Sequence, residues 1–259
     1  MAEQTVVRRQ LLTEQVVRAL ETYIVENALQ PGSPLPSTIE LTQRFNVSRT
    51  VIREALADLA GRGIIDRAQG RGSRVAEPNG SQLHELLAFR VRGGHIDAKS
   101  VMEFRQLLEV RSALLAAERA TAKERALLEE KFERIAAATN DEEFELADLA
   151  FHRSIAAASG NPLILLVTDA LTELLQGVHH ISTAGRRRLG NDLAEVIEDH
   201  RHILEAILKG SGAEAAMAMD HHLQATIQDL KGAIPLEEAP EDIPRLGRLS
   251  QDGSEDGSL

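Results

Sequence analysis

Residues 31–75 read PGSPLPSTIELTQRFNVSRTVIREALADLAGRGIIDRAQGRGSRV, and this stretch decides the fold of the N-terminal third of the chain. Ser37 followed by Glu40 is a capping-box pattern, which predicts a short helix that ends near Phe45. Ser48 predicts the N-cap of a further helix. The apolar residues of that helix share one face: Val51, Ile52, Ala55, Leu56 and Leu59. Two helices joined by a tight turn form a helix-turn-helix.

The sequence on both sides of these helices extends the motif. Residues 11–29 carry apolar residues at helical spacing, and the breaker-rich segment 30–36 ends that helix. Residues 63–67 and 72–75 alternate apolar and polar residues around a glycine-rich turn, which predicts a two-stranded hairpin. Three helices followed by a hairpin indicate a winged helix-turn-helix, which we place at residues 8–76.

Charge is distributed unevenly along the chain of 259 residues. The formal net charge is −11, but residues 1–76 carry +2 and the remainder carries −13. Residues 44–75 contain seven arginines and no lysine: Arg44, Arg49, Arg53, Arg62, Arg67, Arg71 and Arg74. Because arginine pairs well with phosphate and with guanine, this pattern favours a DNA-binding head on an acidic chain.

The predicted recognition helix presents three polar residues near its start. Arg49, Thr50 and Arg53 project from its first turns, where such a helix meets base edges in the major groove. Arg49 and Arg53 share a face away from the apolar side, although a merely solvated arginine face has the same pattern. Arg71 favours DNA binding, because a guanidinium on a glycine-bounded turn suits a phosphate or minor-groove contact.

The remaining chain divides into a linker, a helical domain and a tail. Residues 77–83 have linker composition, and residues 84–233 carry Leu, Ala and Ile at spacings of three and four without a strand pattern. Residues 234–259 combine acidic bias with Pro, Gly and few apolar residues, which predicts disorder. The fold class is therefore mainly α: a winged helix-turn-helix followed by an all-α antiparallel helical bundle.

The chain lacks the sequence patterns of a membrane span and of a secretory signal. We therefore expect a soluble, cytoplasmic protein. The chain also lacks cysteine. Any bound metal ion would then be held by His, Asp or Glu side chains.

Four polar residues occupy positions where helical periodicity calls for apolar ones: Asp148, His152, His200 and His222. A single inward histidine is more often a hydrogen-bonded core residue than a ligand. Burying three imidazoles and a carboxylate together would cost folding free energy if they had no shared partner. One divalent ion can coordinate all four side chains. The donor set suits zinc first, and also nickel, manganese or iron.

Arg111 is a charged residue on a face that the pattern predicts to be buried. The other members of that face are Phe104, Leu107, Leu108, Leu114 and Leu115. A structural ion pair would explain Arg111, and so would a bidentate clamp for an anionic ligand. Next to a metal ion with vacant positions, such a clamp would form a carboxylate site.

Three N-terminal fragments are distinctive: Leu35-Pro36-Ser37, Val47-Ser48-Arg49-Thr50 with Arg53-Glu54-Ala55-Leu56, and Gly70-Arg71-Gly72 ahead of Val75. With them, roughly residues 10–76 resemble the DNA-binding domain of GntR-type bacterial regulators. The resemblance implies seven DNA contacts: Arg49, Thr50, Val51, Arg53, Gln69, Gly70 and Arg71. Thr38-Ile39 departs from the Glu-Arg pair that usually follows Leu-Pro-Ser in the family, so one usual arginine contact is missing.

The C-terminal region also contains distinctive fragments: Glu109-Val-Arg111, Asp148-Leu-Ala-Phe-His152, Ser159-Gly160-Asn161, His200-Arg-His-Ile-Leu and Met219-Asp-His-His222-Leu223. They resemble the all-helical FCD effector domain found in the FadR branch of these regulators. The resemblance implies metal ligands at the four residues that periodicity selects, and an effector carboxylate at Arg111. It also implies a homodimer, which suits a pseudo-palindromic double-stranded operator.

Together these features predict a transcriptional regulator of the bacterial nucleoid, with repression relieved by a small carboxylate effector as the default. The same regulator could instead hold a purely structural or signalling metal ion, with a fatty-acyl or sugar-acid effector. A metal-dependent enzyme is the rival class, since an open metal site can activate water. The sequence has no HExxH motif, nucleophile–base pair or carboxylate dyad to support it, so we expect no enzyme.

Overall fold

A computed structural model describes residues 2–68, 72–77 and 79–232 of the protein. The chain forms two compact units that divide between Gln82 and Leu83. The predicted wing-tip contacts Gln69, Gly70 and Arg71 lie outside the described residues, as does the tail predicted to be disordered at 234–259.

The N-terminal unit has three helices and two strands in the predicted order: α1 (Ala2–Glu26), α2 (Thr38–Phe45), α3 (Arg49–Gly61), β1 (Ile65–Ala68) and β2 (Gly72–Val75). The capping box of α2 is formed, since the Ser37 N–H donates to Glu40 Oε2 at 2.7 Å and the Glu40 N–H donates to Ser37 Oγ at 3.3 Å. Ser48 caps α3 by accepting a hydrogen bond from the Val51 N–H at 3.4 Å. These caps place α3 where the sequence predicts the recognition helix.

The two strands form the predicted wing. They pair antiparallel, with Ile65 opposite Val75 and Ala68 opposite Gly72. The core of the unit lies between the helices and the base of this hairpin, and its fully buried members include Leu20, Leu41, Ile52, Leu59 and Ile65. The winged helix-turn-helix predicted from the sequence is therefore confirmed.

The C-terminal unit is helical over its described residues: α4 (Ser81–Arg92), α5 (Ala98–Arg119), α6 (Ala122–Ala136), α7 (Asp141–Ala158), α8 (Pro162–Leu189), α9 (Leu193–Lys209) and α10 (Gly212–Gly232). Helix α4 begins inside the segment 77–83 that the sequence assigns to a linker. Just before this start the Asn79 side chain accepts a hydrogen bond from the Ser81 N–H at 3.0 Å, which forms an Asx-type turn.

Helices α5, α7, α9 and α10 are the elements that position the candidate site. Helix α5 packs against α7, α9 and α10, and α10 also packs against α8 and α9. Their apolar faces and that of α6 form one core. The buried residues of this core include Phe132, Phe151, Ile155, Ile203 and Met219. Polar side chains that point inward from these helices therefore meet in the interior. No helix in the described part of the chain is both long enough and apolar enough to cross a bilayer.

Candidate metal centre and nucleic-acid interface

The start of α3 presents the predicted DNA-reading side chains. Arg49, Thr50 and Arg53 are all exposed. Neither arginine has an ion-pair partner among the residues that the structure describes. Two unpaired guanidinium groups on one exposed helix face can pair with phosphate or with base edges.

Val51 lies on the buried face of α3. Its residue surface is only 4% exposed, and it packs in the core of the N-terminal unit. The reason is helical periodicity, which places Val51 on the apolar face with Ile52 and Ala55 rather than beside Arg49 and Arg53. Its side chain therefore serves the core, and the DNA contact that the resemblance implies at Val51 stays a prediction.

Three other arginines of the basic stretch make contacts within the protein. Arg62 pairs with Glu21 at 2.5 Å, and Arg74 Nη1 donates to the Gly32 carbonyl at 2.8 Å. The Arg44 guanidinium lies 4.6 Å from the centre of the Tyr23 ring. The arginine count of the sequence therefore overstates the number of guanidinium groups that are free for DNA.

The structure brings together the four inward residues of the C-terminal unit. Helix α7 supplies Asp148 and His152, α9 supplies His200, and α10 supplies His222. All four are buried, and each offers one ligand atom within 4.8 Å of the others. The neighbouring histidines of α9 and α10, His202 and His221, point outward and are exposed.

Close polar contacts orient two of the imidazoles. His200 Nδ1 lies 2.7 Å from the Val196 carbonyl, so this nitrogen is the donor and Nε2 keeps its lone pair. His152 Nδ1 lies 2.6 Å from Glu109 Oε2, and the carboxylate beside it favours the same tautomer, although the angles of this contact are not those of a regular hydrogen bond. The two Nε2 atoms lie 3.3 Å apart, and His200 Nε2 lies 2.8 Å from Asp148 Oδ1.

This convergence of lone pairs fits a cation. Two imidazole acceptors and a carboxylate oxygen repel one another unless a positive charge lies among them. His222 adds a buried Nδ1 that has no hydrogen-bond partner among the residues that the structure describes. Burial, together with the neighbouring His200 and His152, lowers the pKa of His222 well below its usual value, so its imidazole is the neutral form that binds metal ions. The residues present therefore fit a divalent ion.

Arg105 and Glu109 of α5 extend the cluster, and the sequence analysis did not select either as a site residue. Arg105 is 1% exposed, and its Nε donates to Glu109 Oε1 at 2.5 Å. Burial raises the pKa of Glu109, but the charge of Arg105 and the close contacts with Arg105 and with the His152 imidazole outweigh burial and bring the pKa to about 2. The i, i+4 spacing of an arginine and a glutamate was the available signal.

Arg105 also has unused hydrogen-bonding capacity. Its Nη1 and Nη2 atoms are buried and have no hydrogen-bond partner in the described part of the chain. Its positive charge acts on His222, and its Nε is linked to His152 through Glu109. A buried guanidinium next to the candidate metal ligands thus keeps two donor nitrogens that an anion could accept from.

Arg111 does not lie where the sequence predicts. It is exposed, and it lines an open groove with Leu107, which is 75% exposed. Helix α5 buries the face that carries Met102, Arg105 and Glu109. Both sides of α5 carry apolar residues, so periodicity alone does not distinguish the buried side from the exposed one. The predicted burial of Arg111, on which its role as clamp or buried ion pair depended, is therefore wrong.

A cavity of about 20 Å³ adjoins the cluster. Its lining includes Asp148 and His222, together with Ser182, Thr183 and Arg186 of α8. Arg186 is buried, and its guanidinium carbon lies 5.6 Å from the centre of the Phe144 ring. The cavity is about the size of one water molecule, so a larger ligand needs movement of these side chains.

Comparison with known proteins assigns a family to each part of the chain. Residues 12–75 match the family described as "Bacterial regulatory proteins, gntR family", and residues 100–225 match the FCD domain. The HTH-type transcriptional regulator LutR of Bacillus subtilis (strain 168) is 32% identical over 214 residues, which cover 81% of this chain and 96% of LutR.

Other relatives include a transcriptional activator and a transcriptional repressor. The Glc operon transcriptional activator of Escherichia coli (strain K12) is 30% identical, with 88% of this chain and 97% of the activator covered. The galactonate operon transcriptional repressor of the same organism is 28% identical, with 85% and 96% covered. The solved structure of Streptococcus agalactiae GntR is 28% identical with a TM-score of 0.64, and the match covers 82% of this chain and 97% of that one.

Proposed function

We propose that a small carboxylate controls the DNA binding of this chain, which belongs to the gntR family of bacterial regulatory proteins and carries an FCD domain. The carboxylate would bind in the C-terminal unit, between Arg105 and a divalent metal ion. The observation that carries this proposal is the buried Arg105 guanidinium, whose two terminal nitrogens have no partner among the described residues. The relatives are named as transcriptional regulators, which points to a regulator rather than an enzyme.

Asp148, His152, His200 and His222 would hold the metal ion. We propose zinc first, with nickel, manganese and iron as alternatives, because all four accept imidazole and carboxylate ligands. When bound, the ion supplies a positive charge that can coordinate one oxygen of an anionic ligand. Glu109 orients His152 toward that ion, and the Val196 carbonyl does the same for His200.

Arg105 replaces Arg111 as the proposed effector-binding residue. A guanidinium presents two parallel N–H groups to a carboxylate, and this bidentate pair is stronger and more directional than a single hydrogen bond. A buried guanidinium with two unpaired nitrogens carries a desolvation cost that a bound carboxylate would offset. Arg105 would therefore make the site selective for an anion with a planar carboxylate group.

The effector would act on a homodimer that reads a pseudo-palindromic operator. Each N-terminal unit would insert α3 in the major groove through Arg49, Thr50 and Arg53, with Gln69, Gly70 and Arg71 at the wing. We propose repression in the cytoplasm, on nucleoid DNA, that the effector relieves by shifting the dimer to a state with lower operator affinity.

The test uses the purified full chain with sodium acetate, lactate and citrate as probes. We expect metal to copurify, as measured by elemental analysis, and at least one carboxylate to raise the melting temperature by about 5–10 °C at a hundredfold excess over its Kd. Chelation with EDTA should abolish that shift. Arg105→Ala should abolish it with the metal retained, whereas Arg111→Ala should keep the carboxylate-induced shift.

Two further outcomes decide against the proposal. An unchanged carboxylate response in Arg105→Ala and Arg105→Lys would exclude Arg105 as the clamp. Binding of carboxylates to the metal-free protein would exclude the metal ion from the effector site. Operator selection from random DNA, followed by gel shift with the same probes, then reports whether the effector releases or strengthens DNA binding.

A purely structural metal ion is the second candidate, because the four ligands are buried in the core that joins α7, α9 and α10. Chelation separates the two functions. If the helical signal in circular dichroism is lost together with the metal ion, the ion is structural. If folding is retained but the carboxylate response is lost, the ion belongs to the sensor.

A further inference from the structure

The outward side of α5 carries an apolar stripe in which Phe104 and Leu107 are exposed, while Val110 and Leu114 are half-buried. Its members, which we call the α5 stripe, are Phe104, Leu107, Val110 and Leu114, with Glu103 and Arg111 at its edges. Leu107 is 75% exposed and Phe104 is 45% exposed. Apart from Phe104, the residues of the stripe line an open groove of about 550 Å³ together with Gln106 and Asp220. Exposed apolar side chains in a row are typical of a surface that another protein covers.

The charges of the stripe have a self-complementary order. Glu103 lies four residues before Leu107, and Arg111 lies four residues after it. Neither charge has an ion-pair partner among the residues that the structure describes. At a rise of about 1.5 Å per residue, each charge lies about 6 Å from Leu107 along the helix axis, in opposite directions.

We propose that the α5 stripe is the surface on which a second copy of this chain docks, with the two α5 helices antiparallel and related by a twofold axis at Leu107. Residues equidistant from Leu107 then lie at the same height. Glu103 meets the partner's Arg111, Phe104 meets the partner's Val110, and the two Leu107 side chains meet at the axis. This isologous contact pairs Glu103 and Arg111 of each subunit with the opposite charge of the other.

This inference rests on the homodimer of the proposed function and names its contact surface. It also gives α5 two roles on two faces. The inward face carries Arg105 and Glu109, which contact the candidate sensor site, and the outward face carries the dimer contact. A shift of α5 on effector binding would therefore reach the partner subunit directly.

Charge reversal tests the register. Sedimentation analysis of the full chain should show a dimer whose dissociation constant rises at least tenfold in Glu103→Arg and in Arg111→Glu, because like charges then face each other. The combined variant exchanges the two charges and should restore the dissociation constant to within about threefold of the original. Glu205→Arg, at an exposed position on α9, is the control and should leave it unchanged.

A cross-link tests the axis independently, since the chain has no cysteine of its own. Leu107→Cys should form an intersubunit disulfide on mild oxidation, whereas Leu146→Cys, at an exposed position on α7, should not. A monomeric chain, or a dimer unaffected by both reversals and without the Leu107→Cys cross-link, overturns the inference. Carboxylate stabilisation measured on the same variants reports on the proposed function separately, so the two can fail independently.

Discussion

Glu109 Oε2 lies 2.6 Å from His152 Nδ1, and through this contact a side chain of α5 sets the direction in which an imidazole of α7 points. With Nδ1 occupied, His152 turns Nε2 toward Asp148 and His200. The second oxygen of Glu109 is held by Arg105. The candidate metal ligand and the candidate anion clamp are thus joined by one carboxylate.

Replacing Glu109 should weaken metal binding without removing a ligand. We expect Glu109→Gln to lower the affinity for zinc by about 10–100-fold, because the neutral amide holds His152 less firmly and makes it a poorer donor. Competition with a coloured zinc chelator measures the change. Glu118→Gln, at an exposed position of the same helix, is the control. Equal affinity in both variants would show that Glu109 does not support the ion.

Neighbouring histidines allow a matched test of the ligand set. We expect His222→Ala and His200→Ala to lose bound metal in elemental analysis, because each removes one buried donor from the cluster. His221→Ala and His202→Ala should keep it, since these imidazoles are exposed. The cluster would be refuted as a metal site if all four variants retained equal metal.

Loss of an exposed arginine of α3 should weaken DNA binding. We expect Arg49→Ala or Arg53→Ala to cost about 1–3 kcal/mol of operator affinity, and to flatten the salt dependence if the lost contact is to phosphate. Fluorescence anisotropy at several salt concentrations measures both quantities. Arg62→Ala, which removes an arginine paired with Glu21 near the end of the same helix, should have a much smaller effect. Equal losses in the three variants would contradict the assignment.

Val51 should contribute to stability rather than to recognition. We expect Val51→Ala to destabilise the N-terminal unit by about 2 kcal/mol, because it removes buried methyl groups and leaves a cavity. Thermal melts report this loss, and Thr50→Ala should leave the melting temperature nearly unchanged. If Val51→Ala were as stable as the unchanged protein but bound the operator poorly, Val51 would instead be a DNA contact.

Local sequence patterns were sufficient for the winged helix. Ser37 and Ser48 mark the starts of α2 and α3, because a side-chain oxygen that accepts a helical N–H acts within three residues. The glycine-rich turn after β1 likewise predicts the hairpin. Each of these signals acts over a few residues, so no knowledge of distant contacts is needed.

The candidate metal ligands could also be predicted from the sequence, although they are far apart in the chain. Asp148, His152, His200 and His222 each interrupt the apolar face of a helix, and a buried polar side chain needs a partner. That requirement can be read in each helix separately. Their meeting within 4.8 Å of one another depends on how α7, α9 and α10 pack.

Only the tertiary structure shows which of Arg105 and Arg111 is buried beside the candidate metal ligands. The two arginines are six residues apart, which places them about 120° from each other around α5. Apolar residues lie on both sides of the helix, with Met102 buried and Leu107 exposed. Periodicity in a single helix cannot tell a face that packs inside the protein from one left open on its surface. Packing against α7, α9 and α10 buries Arg105 and leaves Arg111 in solvent, because burial is decided by neighbours that the local sequence does not contain.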